Sequence, residues 1–261
     1  MADVKTQRGW AWLIVTGAGV YFVVPLIATF VFSLQELRGD PGFTAYRTIL
    51  TDPSFWSSLK FSVVMALFAA LVTIGVAVPA VFWAHVRYPR IRPWLEFVSL
   101  LPFVVPAIVL ILGIVRLYGQ AGGLLSFRVV MLVAAYGVVA LPYVFRAVDN
   151  GLRAIDARVL AEAALNLGAS WFTVLIRIVI PNLRGAVLAA AFLVFALSVG
   201  DLAVSSMLGF NSFGVYMELI GQQQAYPAAA LAIIGFIIVW FLIGLMKALG
   251  GKDLSLGNGP R

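Results

Sequence analysis

Six long apolar stretches dominate this sequence and restrict the chain to a membrane fold. They cover residues 10–32, 61–83, 97–115, 129–145, 185–209 and 225–246. Each is 17 to 25 residues long, near the roughly 20 helical residues that cross about 30 Å of hydrocarbon. Five of the six stretches contain no charged residue, and the remaining one, residues 185–209, contains only Asp201. We therefore predict an all-α integral membrane protein with six transmembrane helices in a single domain, residues 1–261.

The basic residues lie mainly on one side of this arrangement. The chain has 18 Lys and Arg against 11 Asp and Glu, a formal net charge of +7. If the N-terminus is cytoplasmic, thirteen of the 18 basic residues fall on the cytoplasmic side, in agreement with the positive-inside rule. We predict that both termini are cytoplasmic. The positive charge then needs no nucleic acid partner to explain it.

Residue types needed for chemistry are missing from the predicted spans. The chain has no cysteine, and its one histidine lies outside the six stretches, so neither a nucleophile–base pair nor a metal site is predicted in the membrane. Gly251-Lys252 is followed by Asp253, where a phosphate-binding loop has Ser or Thr. Any nucleotide must therefore bind another subunit. We predict a chain that is not an enzyme and has no catalytic residue, cofactor or metal.

The loop between the fourth and fifth stretches is too long for a helix–helix turn and too charged for lipid. Asp156 can cap a helix over residues 157–167, and Gly168 can end it in the left-handed conformation. Ser170 can cap a second helix, which Pro181 interrupts. The loop is thus predicted to contain two short cytoplasmic helices that meet at a glycine.

The first of these helices has a face of small and apolar residues, which suits a groove on another protein. This face contains Leu160, Ala163, Ala164 and Leu167. The loop also has a characteristic spacing: Glu162-Ala163-Ala164, three residues, Gly168, nine residues, then Ile178, Ile180 and Pro181. This spacing resembles the EAA loop of ATP-binding-cassette (ABC) importer permeases. The one departure is Ile180, where that family usually has leucine.

The resemblance implies a type I ABC importer permease fold, with a cytoplasmic coupling helix in a loop of about residues 154–181. In that family the helix docks in a cleft of the ATPase and transmits its closure to the membrane helices. The implied coupling residues are Glu162, Ala163, Ala164, Leu167, Gly168 and Pro181. The implied partners are two cytoplasmic ATP-binding subunits, a second permease subunit, identical or different, an extracytoplasmic solute-binding protein, and the lipid of a bacterial inner membrane.

A second resemblance lies in the fifth stretch, from Phe195 to Ser206. These residues look like the corresponding span of spermidine/putrescine permeases, which tend to have two adjacent acidic residues where this chain has Gly200-Asp201. The wider group includes permeases for ferric iron, thiamine and aminoethylphosphonate. The resemblance implies a small polar solute, and a cationic polyamine is the expected cargo.

Asp201 is the one ionisable residue inside an apolar stretch, where an unpaired charge costs about 2.5–3.5 kcal/mol on insertion scales. On a continuous helix, Ser198 and Ser205 share its face. Such a polar strip can line the path of a cationic solute. Alternatively, Asp201 pairs with Arg116 or Arg128 and only fixes helix packing. The sequence leaves both possibilities open.

Two functions follow from these patterns. The first is the pore-forming permease subunit of an ATP-driven importer, whose substrate path contains Ser198, Asp201, Ser205 and, in the last outer loop, Glu218. The alternative is an ion-coupled secondary transporter that binds its coupling ion at Asp201. An ion-driven carrier has no reason to contain an EAA loop, and this loop therefore favours the importer.

Overall fold

The computed structural model describes residues 3–35, 41–118 and 125–250, which are almost entirely helical. No β-strand occurs among them, and their one extended pairing is an isolated bridge between Gln35 and Pro41. The predicted all-α fold class is confirmed. The two chain termini, for which the sequence predicts a cytoplasmic location, lie outside the described residues.

Thirteen α-helices and one π-helical turn make up the described chain. They are α1 (Asp3–Ser33), α2 (Thr44–Thr51), α3 (Pro53–Val86), α4 (Arg92–Val104), α5 (Ala107–Tyr118), α6 (Leu125–Ala154), α7 (Ala157–Asn166), α8 (Trp171–Thr173), the π turn (Val174–Val179), α9 (Ile180–Asn182), α10 (Arg184–Val199), α11 (Ala203–Met207), α12 (Phe213–Gln223) and α13 (Ala225–Gly250).

Four of the described helices, α1, α3, α6 and α13, are long and apolar enough to cross a membrane individually. Two further candidate spans are bent pairs. In one, α4 and α5 meet at 96°, and in the other Trp171–Asn182 meets α10 at 78°. By length and composition, the described residues therefore offer four candidate membrane spans, or up to six if each bent pair crosses once.

The third apolar stretch, predicted as one helix over residues 97–115, is divided in the structure. α4 ends at Val104, and Val105 is extended with ψ 116°. The cause is Pro106, because a proline ring disfavours a helical conformation in the preceding residue and supplies no N–H to the helix. α5 begins immediately after this proline in a new direction.

The fifth apolar stretch, predicted as one helix over residues 185–209, is also divided. α10 ends at Val199, and the short α11 begins at Ala203. Asp201 lies in the break, and its carboxylate accepts hydrogen bonds from N–H groups of α11. Such local side-chain bonding competes with continuation of a helix.

Contacts group the described residues into two compact units. The first comprises those within Met1–Trp56 and Met217–Ile238, and the second comprises those within Ser57–Tyr216 and Val239–Arg261. In the first unit, the hydroxyl groups of Ser33 and Tyr46 share a hydrogen bond of 2.7 Å. The second unit contains most of the buried apolar residues, contributed chiefly by α3 and α6.

Small residues let helices of the second unit approach closely. A Cβ at Gly137 on α6 would lie 2.7 Å from Oγ1 of Thr73 on α3. A Cβ at Gly151 on α6 would lie 2.5 Å from Cβ of Ala186 on α10. Close packing through small residues is typical of membrane helices. The helices that lead into and out of the predicted coupling loop, α6 and α10, therefore pack directly against each other.

Candidate coupling segment and substrate path

The predicted coupling loop begins with α7, which matches the first predicted loop helix to within one residue. Gly168 follows it with φ 83°, the left-handed conformation that the sequence predicts there. The N–H of Gly168 donates to the carbonyl of Leu165 at 2.9 Å, and the N–H of Ala169 donates to that of Ala164 at 3.0 Å. These are the two bonds of a Schellman motif, which ends a helix in a defined direction.

The start of α7 differs from the prediction. Asp156 occupies the N-cap position, but its backbone is left-handed (φ 46°, ψ 56°) and its side chain makes no capping hydrogen bond. It is the only non-glycine residue with positive φ among those described. Aspartate is one of the few residues that visit this conformation routinely. The chain therefore turns from α6 into α7 within two residues.

One face of α7 is buried and the other is exposed. The buried residues are Ala157, Ala161 and Ala164, which belong to the same apolar core as the π turn. The exposed residues include Val159, Glu162, Ala163 and Leu167, here called the docking face. The face predicted from the sequence is thus divided: Ala163 and Leu167 point outward, Leu160 is half-buried, and Ala164 packs inside.

Glu162 is accessible to a partner protein. Its Oε1 accepts a hydrogen bond from Nε of Arg158 at 3.0 Å, and the two side chains are 60% and 62% exposed. An ion pair this exposed contributes about 0–1 kcal/mol to stability. The pair therefore holds the Glu162 carboxylate only weakly.

The second predicted loop helix forms over residues 171–182, with the π turn at its centre. Ser170 caps it as predicted, because its Oγ accepts a hydrogen bond from the N–H of Thr173 at 3.2 Å. The π turn immediately precedes α9, whose Pro181 supplies no N–H to the helix. Phe172 is exposed on this helix. We call residues 157–182 the coupling segment.

The second candidate region is residues 200–214, here called the Asp201 segment. Oδ2 of Asp201 accepts hydrogen bonds from the N–H of Val204 at 3.0 Å, the N–H of Ser205 at 3.1 Å and the Ser205 hydroxyl at 3.0 Å. The contact of Oδ1 with the N–H of Val204 is longer, 3.4 Å. One carboxylate oxygen therefore caps α11, while the other keeps most of its capacity to accept bonds from a cation.

Hydroxyl groups connect this segment internally and to α6. Oγ of Ser205 lies 3.3 Å from the hydroxyl of Tyr136, and Ser212 donates to Oγ of Ser205 at 2.8 Å. The buried Ser198 instead donates to the carbonyl of Val194 at 2.7 Å within α10. The structure thus brings Ser205 to Asp201, whereas the hydroxyl of Ser198 is bonded within its own helix, which ends before Asp201.

Arg128 does not pair with Asp201. Its guanidinium donates to the carbonyl of Leu208 and lies 5.4 Å from the centre of the Phe210 ring. None of the ion pairs in the described part of the chain includes Asp201, Arg128 or Arg116. The packing role that the sequence leaves open for Asp201 is therefore filled by the cap of α11, not by an arginine.

Glu218 lies on α12, where the sequence suggests an outer loop. Its side chain is exposed, and Oε1 accepts a hydrogen bond at 2.9 Å from Nε2 of Gln222, one turn further along the helix. Glu218 belongs to the first compact unit and Asp201 to the second.

One buried acid outside the predicted sites holds three basic side chains. Asp149, near the end of α6, is 4% exposed. Arg92 donates from Nε to Oδ1 and from Nη2 to Oδ2, both at 2.9 Å. Arg153 donates from Nε to Oδ2 at 3.0 Å, and Nδ1 of His85 lies 3.1 Å from Oδ1. The sequence signal is weak, because Asp149 lies just beyond an apolar stretch and only its four-residue spacing to Arg153 indicates a pair.

Comparison with known proteins shows similarity over most of the chain. Residues 77–251 match the family described as binding-protein-dependent transport system inner membrane component. The spermidine/putrescine transport system permease protein PotC of Escherichia coli (strain K12) is 30% identical to this chain, over 93% of this chain and 94% of its own length.

Relatives named for other cargo are similar to this chain at about the same level. The molybdenum transport system permease protein ModB of Mycobacterium tuberculosis is 29% identical over 97% of both chains. A "probable sulfate transport system permease protein", cysT of Nephroselmis olivacea, is 27% identical over 94% of this chain and 90% of its own length. Because the family match covers about two thirds of the sequence, this chain belongs to the inner membrane components of binding-protein-dependent transport systems, as a permease subunit of an ABC importer.

Proposed function

We propose that this chain forms part of the translocation path of an ATP-driven importer for a small cationic solute such as a polyamine. Two separate ATP-binding subunits hydrolyse ATP, and a second permease subunit and an extracytoplasmic solute-binding protein complete the complex. The function rests chiefly on α7, a short helix with an exposed face that is ended by a left-handed glycine, in the segment with the EAA spacing. An ion-coupled carrier does not need such a helix.

The docking face combines apolar surface with a carboxylate. Leu167 is 89% exposed and Val159 is 57% exposed, and Glu162 lies between them in the sequence. Full burial of such a side chain is favourable by about 1.5–3 kcal/mol, and the fold of this chain does not provide it for Leu167. A groove on an ATP-binding subunit would bury these side chains, as in other helix-in-groove complexes.

This function places the coupling segment and both termini on the cytoplasmic side. The chain has no cysteine, so single cysteines introduced at Ala154 and Asn211, both exposed, can report their own location. We expect a membrane-impermeant thiol reagent to label them from opposite sides of the membrane. Labelling of both from one side would contradict this topology.

The Asp201 segment supports a cationic cargo. One oxygen of the Asp201 carboxylate is little used by the helix cap, and the Ser205 hydroxyl is bonded to the other. A carboxylate attracts a cation and disfavours an anion such as sulfate. The relatives include permeases named for spermidine/putrescine, molybdenum and sulfate, and similarity alone therefore does not select among these cargoes.

Uptake by the complete complex in vesicles tests both parts of the proposal. With the solute-binding protein outside and ATP inside, we expect uptake of radiolabelled spermidine that requires ATP, and no uptake of sulfate. Uptake driven by an ion gradient in the absence of ATP and of ATP-binding subunits would instead support the ion-coupled carrier. ATP-dependent uptake of sulfate but not spermidine would retain the importer and remove the cationic cargo.

A further inference from the structure

We propose that Asp149 is a positioning residue for the coupling of ATP hydrolysis to transport. It holds the ends of α3, α4 and α6 together, so that a displacement of α7 moves these three helices as a group. This inference rests on the ATP-driven function proposed above. We call Asp149 and its partners His85, Arg92 and Arg153 the Asp149 node.

The node joins three helix ends through one carboxylate. His85 is in the last turn of α3, Arg92 is the first residue of α4, and Arg153 is in the last turn of α6. All three basic side chains reach the Asp149 oxygens within 3.1 Å. Arg92 binds both oxygens at once, and a two-point contact fixes orientation as well as distance.

Such a cluster specifies geometry more than it supplies stability. The cost of removing charges from water offsets much of their attraction, and buried ion pairs are therefore weak evidence for a stabilising role. In the node, both oxygens of a buried carboxylate are shared among three basic groups. A separation of the three helices would leave a buried charge without its partner, which is strongly unfavourable. The helix ends are thus held in one arrangement.

The connection from the node to α7 is short. α7 begins three residues after α6 ends. The N–H groups of the two connecting residues, Ile155 and Asp156, donate to the carbonyls of Gly151 and Arg153 at 3.2 and 3.1 Å. Because this connection is short and hydrogen-bonded, a displacement of α7 by a docked subunit also displaces the end of α6, where the node lies.

A second set of contacts ties α3 to the far side of the coupling segment. The guanidinium carbon of Arg87 lies 5.1 Å from the ring centre of Trp171 and 5.3 Å from that of Tyr88, within the range of cation–π attraction. The Phe82 ring centre is 6.4 Å from that of Trp171. The end of α3 thus contacts the chain both before and after α7. Because α3 is continuous over 34 residues, it is suited to carry that displacement along the bundle.

The first test measures ATP hydrolysed per solute imported in the complete complex. Asp149→Asn keeps the shape and removes the charge, and Asp149→Glu keeps the charge. We expect Asp149→Asn to assemble and hydrolyse ATP but to import about tenfold less solute per ATP, an effect within the usual range of coupling between sites. Asp149→Glu should recover most of this loss. If hydrolysis and uptake fall together at a constant ratio, or if neither changes, the inference is overturned.

A matched control is available seven residues further along the chain. Asp156→Asn makes the same chemical change at an exposed side chain that forms no capping hydrogen bond, and asparagine also tolerates left-handed backbone. We expect this variant to keep the wild-type ratio. A loss equal to that of Asp149→Asn would show that removal of any carboxylate charge from this part of the chain uncouples the complex, and would also overturn the inference.

The second test measures geometry without transport. Spin labels on cysteines at Trp94 of α4 and Asn166 of α7, both exposed, report the distance between these helices. In the otherwise wild-type complex, we expect a single narrow distance distribution both without nucleotide and with ATP trapped. In Asp149→Asn, we expect the distribution to be broader. A narrow distance in Asp149→Asn under both conditions would overturn the inference.

Two further outcomes are decisive. If Asp149→Asn fails to assemble, Arg92→Lys keeps the charge but loses the two-point contact, and a wild-type ratio and distance for it would overturn the inference. If the wild-type complex shows no ATP-driven uptake, the proposed function fails. The distance measured without nucleotide still tests the node in that case.

Discussion

The coupling segment and the Asp201 segment contain the same type of helix end, but it is exposed in the first and closely packed in the second. Each ends a short helix with a left-handed glycine, Gly168 with φ 83° after α7 and Gly209 with φ 71° after α11. Apart from its two chain neighbours, no described residue has an atom within 4 Å of where a Cβ of Gly168 would be. A Cβ of Gly209 would lie 2.5 Å from Nη2 of Arg128. The first glycine directs an exposed helix, and the second allows close packing.

The polar and apolar groups of the two segments show the same contrast. The coupling segment leaves Leu167 and the Glu162 carboxylate accessible, whereas the Asp201 segment uses Ser205 and Ser212 to bond its own backbone and side chains. Groups left accessible are available to another protein, and groups bonded internally maintain the local fold. Substitutions at the accessible groups of the first segment should therefore alter partner binding, and substitutions that disturb the internal bonds or packing of the second should alter folding.

The largest effect is expected at Gly214 in the Asp201 segment. A Cβ there would meet the carbonyl group of Asp201 more closely than real Cβ atoms approach other atoms, and it would lie 3.0 Å from the carbonyl oxygen of Gly200. Backbone atoms cannot rotate away, and overpacking typically costs about 1–3 kcal/mol. We expect Gly214→Ala to lower both the yield of inserted protein and its unfolding temperature in detergent. Gly221→Ala, on the same helix but in open space, should remain near wild type, and equal behaviour of the two variants would contradict the packing contrast.

The next effect is expected at Gly168 in the coupling segment. Valine there places a branched side chain in left-handed backbone, at a strain of about 1–3 kcal/mol, and should misdirect the exposed helix while leaving the core intact. We expect Gly168→Val to insert normally but to reduce ATP-driven uptake about tenfold, since 1.4 kcal/mol, within this range, corresponds to that factor. Uptake, hydrolysis and retention of the ATP-binding subunits are measured together.

Gly75 provides the control for this change. It also has open space around its Cβ position, but it lies within α3 without positive φ. Gly75→Val should therefore leave uptake near the wild-type rate. If Gly168→Val also transports normally, the left-handed turn has no part in coupling.

Local features of the coupling segment were predictable from the sequence because their causes are local. The length of α7, the left-handed Gly168 and the cap by Ser170 each depend on residues within one or two turns. The predicted cap by Asp156 is wrong, because a left-handed backbone at that residue makes the turn from α6 instead.

Features set by distant contacts were not predictable in this way. Ala163 and Ala164 are neighbours on a helix, and only the packing of α7 against the π turn decides that Ala164 is inside. The break at Asp201 was not predicted because the residues on both sides of it are apolar and read as one continuous span, although Gly200 and Asp201 both favour ending a helix. The Asp149 node depends on residues 57 and 64 positions apart, which no helical period connects.

A smaller effect is expected at Asp201, where the two roles of one carboxylate can be separated. Asparagine retains an oxygen that can cap α11 but removes the charge. We expect Asp201→Asn to assemble normally and to reduce spermidine uptake about tenfold, because hydrogen bonds to charged groups contribute about 1.5–3 kcal/mol. Ser206→Ala, an exposed neighbour on α11, serves as the control. If Asp201→Asn transports spermidine at the wild-type rate, Asp201 is not part of the substrate path. If Asp201→Asn assembles defectively, the capping of α11 is the only role left for this residue.

The smallest effect is expected at the exposed pair of α7, where each partner is the control for the other. If Glu162 acts only through its 3.0 Å bond to Arg158, then Glu162→Ala and Arg158→Ala remove the same interaction and should have equal effects, because a surface pair contributes about 0–1 kcal/mol. If Glu162 also contacts an ATP-binding subunit, Glu162→Ala should lose more. We expect Glu162→Ala to weaken retention of the ATP-binding subunits and to reduce uptake a few-fold, with little change for Arg158→Ala. Equal losses in the two variants, measured by co-purification and uptake, would limit Glu162 to a structural ion pair and leave Leu167 and Val159 as the main contributors to the docking face.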